Sequence, residues 1–177
     1  MRWEQVVAEQ PRLGELGTVR LLEPGVVLVA TVRRDGTPRV SPVEPLVVDG
    51  ELWLCMMQGS AKAADLVRDP RVLVHNIVTS RDGADGEFKV RGVVRTVDDL
   101  DVQQRFADEA DRRLGWRPVP GRFHLFAVDV ESVTVIRYDT ASGDQYVAIW
   151  PPAREFVRRG TSATSVGEPE KTHELLD

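Results

Sequence analysis

Residues 26–75 read VVLVATVRRDGTPRVSPVEPLVVDGELWLCMMQGSAKAADLVRDPRVLVH, from Val26 to His75, and this stretch decides the fold. Two Asp-Gly pairs, Asp35-Gly36 and Asp49-Gly50, each join two runs rich in Val and Leu. Asp-Gly suits a tight hairpin because the turn needs positive φ, which glycine takes at little cost. Residues 26–33, 38–48 and 51–57 therefore read as an antiparallel meander. The first run shows little polar alternation, as in a wall covered on both faces. The second holds two internal prolines, Pro42 and Pro45, which argue for an edge, a bulge or a bend. Gly59-Ser60-Ala61-Lys62 then opens a short helix. Ser60 is a good N-cap, and Pro70 cannot continue the helix. A fourth strand follows over residues 71–78.

Outward from this unit, residues 87–97 alternate as a fifth strand. Phe88, Val90 and Val94 lie on one face, and Lys89, Arg91 and Arg95 on the other. Asp98 or Asp99 caps a helix with Leu100, Gln103, Ala107, Ala110 and Leu114 on one stripe. Residues 123–138 form a long strand whose apolar phase slips after Glu131, the mark of a β-bulge. A last short strand spans 145–150. Residues 1–24 read as a helical or loop lead-in, 25–150 as the barrel domain and 151–177 as a polar tail. Residues 160–177 show no periodicity and are expected to be disordered or loosely attached. The expected fold is mainly β: six or seven mostly antiparallel strands in a small barrel with flanking helices.

Composition narrows the function classes. A chain of 177 residues with 42% apolar and 29% charged residues suits one soluble domain. The net charge of -5 comes with no basic stripe, against nucleic-acid binding. No apolar run reaches the ~20 residues that span a bilayer. The N-terminus is too charged for a secretory leader, and the single cysteine excludes an internal disulfide. Cytoplasmic residence fits both. His75, His124 and His173 lack metal-ligand spacing, so no metal is expected. There is no nucleophile elbow, phosphate-binding loop or dinucleotide fingerprint.

Three groups of residues carry candidate chemistry. A helix start at Ser60 with Lys62 in its first turn offers free N–H groups, a hydroxyl and a compact cation, enough for a phosphate. The same residues also serve as an ordinary N-cap with a solvated lysine. Ser41, set among apolar residues on a proline-bent strand, offers backbone groups to a flat heteroaromatic ligand, or is a surface serine on a bent wall. Lys89, Arg91 and Arg95 form a solvated face, or an anion contact across a dimer interface. Trp150 with Arg154 forms a lid or a packed anchor. His75 shares a face with Leu73 and Ile77, a core or interface histidine rather than a haem ligand.

The succession Asp35-Gly36-Thr37-Pro38-Arg39-Val40-Ser41-Pro42-Val43, Leu52-Trp53-Leu54-Cys55, Ser60-Ala61-Lys62 and Leu66-Val67-Arg68-Asp69-Pro70-Arg71-Val72 resembles the pyridoxamine 5'-phosphate oxidase-like superfamily. The resemblance covers roughly residues 20 to 138. It implies a six-stranded split β-barrel and a homodimer, with FMN or the deazaflavin coenzyme F-420 in a groove between subunits. It places Ser60 and Lys62 on the cofactor phosphate and Val40, Ser41, Pro42 and Val43 beside the ring. Met56, Met57 and Gln58 fall at the end of the third strand. Lys89 and Trp150 complete the candidate cofactor contacts. The function it implies is a flavin- or deazaflavin-dependent oxidoreductase acting on a small molecule, with FMN ranked first. The alternative is a non-catalytic flavin- or haem-binding stress protein of the same fold.

Overall fold

The computed structural model describes residues 1–176. Among them are ten strands: β1 (Val27–Val32), β2 (Pro38–Val43), β3 (Pro45–Val48), β4 (Glu51–Met57), β5 (Arg71–Asn76), β6 (Glu87–Thr96), β7 (Phe123–Tyr138), β8 (Gln145–Trp150), β9 (Arg154–Ser162) and β10 (Ser165–Lys171). Helices α1 (Trp3–Glu9) and α2 (Pro11–Gly17) precede β1, α3 (Ala61–Arg68) follows β4, and α4 (Leu100–Leu114) precedes β7. All strand pairs are antiparallel, in the order β10-β9-β8-β7-β6-β5-β1-β2, with β4 on β7 and β3 on β4. The sheet does not close: β2 is an edge. This is the expected mainly β, split-barrel architecture.

The long β7 is the spine. Its first half pairs with β4, its second half with β8, and β6 runs along most of it. The predicted phase slip is real: Arg91 faces Ser132 while Gly92 faces Val130, leaving Glu131 as the extra residue. The bulge brings backbone close to Gly92, where an added Cβ would stand 2.2 Å from the Asp129 carbonyl oxygen. Gly92→Ala is therefore expected to lower stability by about 2 kcal/mol through overpacking, seen as a lower urea midpoint with an unchanged slope. The Val130 amide freed here donates to the Met1 carbonyl at 2.8 Å.

Three sequence expectations are corrected. Residues 38–48 are two strands, not one. The chain leaves the sheet at Glu44, where Pro45 has no N–H to give, so β2 pairs with β1 and β3 with β4. Residues 160–176 are neither disordered nor loose. β9 and β10 form a hairpin on β8, the buried Asp144 carboxylate accepts from Gly160 N and Arg159, and Leu175 is buried in the core. Leu100 does not join the buried stripe of α4; it stands exposed beside the Asp99 cap, and Gln103, Phe106, Ala107 and Ala110 make the contact.

Candidate functional site

The turn between β4 and α3 begins the site. Ser60 caps α3 through its hydroxyl, which accepts from Ala63 N at 3.4 Å. The first N–H groups of α3 have no partner within the helix. Lys62 leans from the first turn to β2, where its Nζ donates to the Pro42 carbonyl at 3.0 Å. An ammonium has three protons, so two remain for another acceptor.

A buried charged knot holds this junction. The Asp65 carboxylate accepts from Arg39 at 2.6 Å, from Thr31 at 3.0 Å and from Arg68 at 3.2 Å. These bonds tie α3 to β1 and β2. Burial pushes the carboxyl up, but the bonds from Arg39, Thr31 and Arg68 together outweigh it and hold Asp65 below its ordinary value of 3.8.

A groove of about 670 Å³ opens beside the Lys62–Pro42 contact. That size is typical of small-molecule sites. Pro42, Val43 and Glu44 form one wall, Cys55 and Met57 lie at the end of β4, and Trp116, Val119, Arg122 and Phe123 come from the α4–β7 connection opposite. Gln58 anchors that connection by donating to Gly121 O at 2.9 Å. Met57 is 76% exposed, an apolar side chain facing the groove rather than the core. The Cys55 thiol is pushed up to about 12, first by burial and then by the charge of Glu44. It stays protonated at neutral pH and is no nucleophile.

The structure thus brings Pro42, Val43, Met57 and Lys62 to one groove, with Ser60 and Gln58 bracing its edges. Val40 and Ser41 lie farther along β2, Val40 being 60% exposed on the outer sheet face. Lys89 lies on that outer face too, paired with Glu87. Trp150 is buried in the core and does not line this groove. Sequence reasoning missed Glu44, Trp116, Val119 and Arg122. Glu44 sat inside the quoted stretch, and its signal was the Pro-flanked break. The other three lie in a Pro- and Gly-rich loop that only the fold carries to the groove.

The family model described as pyridoxamine 5'-phosphate oxidase matches residues 17–137. No curated protein matches the chain. Among solved structures, a protein described as an F420 reductase is similar at 22% identity and a TM-score of 0.52, over 66% of this chain and 94% of that one. The haem storage protein HutZ from Vibrio cholerae is similar at 21% identity and a TM-score of 0.53, over 74% and 92%. General stress protein 26 from Bacillus anthracis is similar at 20% identity and a TM-score of 0.54, over 68% and 91%. At these identities the likeness shows the fold.

Proposed function

Because the chain belongs to the pyridoxamine 5'-phosphate oxidase family, we propose that it is a flavin- or deazaflavin-dependent oxidoreductase acting on a small molecule in the cytoplasm, with FMN ahead of coenzyme F-420. One observation carries the reading: the Lys62 ammonium, two protons uncommitted, sits at the capped start of α3 at the mouth of a largely apolar groove. That donor set suits a phosphate, and the backbone of β2 beside it suits a flat ring. When bound, such a cofactor supplies hydride chemistry. The chain's own residues bind and orient it: Lys62 and α3 hold the anion, Pro42 and Val43 flank the ring, and Met57, Val119 and Phe123 exclude water. Among the described residues no histidine lines this groove to ligate a haem; His75 stands on the outer sheet face, its Nε2 3.4 Å from Glu87. The test is anaerobic reduction of the FMN-loaded chain by NADPH, with oxidation of reduced F-420 by menadione as a second arm. Turnover in either arm supports the reading. A bound cofactor that exchanges no hydride in either arm leaves a carrier instead.

We also place a second copy of the chain on the outer face of β2-β1-β5-β6. Strand register sets Pro42, Leu28, His75 and Lys89 in one row and Val40, Ala30, Leu73 and Arg91 in the next. Leu28, Ala30 and Leu73 are only half-buried in one chain, and Val40 is exposed. An apolar centre with a basic rim is the anatomy of a subunit interface. Leu73→Arg is expected to convert a dimer to a monomer by light scattering. It should also weaken FMN binding at least ~10-fold, the factor that about 1.4 kcal/mol represents. A native chain that is monomeric at micromolar concentration would overturn the dimer.

A further inference from the structure

We infer that Glu44 selects the substrate of this groove, favouring one that carries a cation or hydrogen-bond donor and rejecting anionic ones. The inference rests on the groove being the cofactor and substrate site. Glu44 stands at the break between β2 and β3, where the chain changes partner from β1 to β4. Its carboxylate lines the groove, and among the described residues no side chain forms an ion pair or hydrogen bond with it. Every other charged side chain there is a cation. Lys62 gives one hydrogen bond to the Pro42 carbonyl and, on the proposed reading, turns its other two protons to the cofactor anion; Arg122, exposed like Glu44, stands on the opposite loop.

Val43, Met57, Val119 and Phe123 make the rest of the lining largely apolar; beside them stand the Cys55 thiol and the Trp116 indole N–H, a buried donor with no partner among the described residues. A substrate lying on these side chains displaces water from around Glu44. With water gone, a charge-assisted hydrogen bond from the occupant is the favourable way to satisfy the carboxylate. Glu44 is exposed in the empty groove, so an anion meets its like charge at full strength only where the occupant itself has excluded water, which is a repulsive device for specificity. The Glu44 charge adds to burial, the larger cause, in pushing up the Cys55 thiol on the same groove lining.

The experiment uses the whole chain loaded with the cofactor it binds. The cofactor absorption band is read first, and then its perturbation by three probes of matched chain length: 3-phenylpropan-1-amine, 3-phenylpropan-1-ol and 3-phenylpropionate. In the native chain 3-phenylpropan-1-amine is expected to bind at least ~10-fold tighter than 3-phenylpropionate, the factor that about 1.4 kcal/mol represents. Glu44→Gln, read at saturating cofactor, should bring that ratio near unity, and Glu44→Lys should invert it. A native ratio of one or below, or a ratio unchanged in Glu44→Gln, overturns the selection while leaving the cofactor site standing. Failure to take up any cofactor overturns the functional reading itself, and this inference with it.

Discussion

Asp65→Ala is expected to lower the free energy of unfolding by about 3 kcal/mol, the lower end of the range for breaking a buried ion pair. The lower end applies because Arg39 and Arg68 are 27% and 36% exposed and can turn to water once the carboxylate is gone. What they leave behind is a buried gap with the Thr31 hydroxyl unpaired. Urea unfolding measures it as a fall in midpoint. The pH dependence follows from the depressed Asp65 value. The native state holds this carboxyl's proton less tightly than the unfolded chain, so its contribution is complete above the ordinary value of 3.8 and is lost as pH falls through the lower native value. The native chain should therefore lose stability in that acid window, and Asp65→Ala should lose less. Equal acid sensitivity of the two would contradict the role given to the knot.

Lys62→Ala is expected to raise the Kd of FMN about 10- to 100-fold, because a hydrogen bond to a charged group contributes about 1.5–3 kcal/mol. Riboflavin, which has the same ring and no phosphate, should bind native and variant alike. The fold should survive, since Lys62 is only half-buried and its one bond is to the Pro42 carbonyl at the sheet edge. A parallel loss for both ligands would mean that Lys62 shapes the groove rather than holding the anion.

Both effects lie within the stretch that was most legible in sequence. The Asp49-Gly50 hairpin is a tight turn with φ of 51° and 76°, as the dipeptide requires. Ser60 is the cap its type suggests, and the Glu131 bulge showed as a slip of period two. Local chemistry determines those features, so local reading finds them. The C-terminal hairpin escaped because only Val157 of β9 is buried and β10 buries none of its side chains. Its strands exist because β8 needed a neighbour and Asp144 fastens Arg159 and Gly160 beside it. Trp150 read as a lid or a packed anchor, and register with Val133 settles it as the anchor, inside the core. The groove wall from Trp116 to Phe123 has no period at all. It is set by where α4 ends, at Gly115 with φ of 72°, and by Gln58 holding Gly121.

The most direct measurement is a fluorescence and absorbance titration of the whole chain with FMN, coenzyme F-420 and haemin in parallel. The account predicts saturable binding of FMN or F-420 at micromolar concentration or below, one ligand per groove, and no sharp haem band with haemin. Saturable haem binding with neither flavin-type ligand retained would contradict it, as would no binding by any of the three.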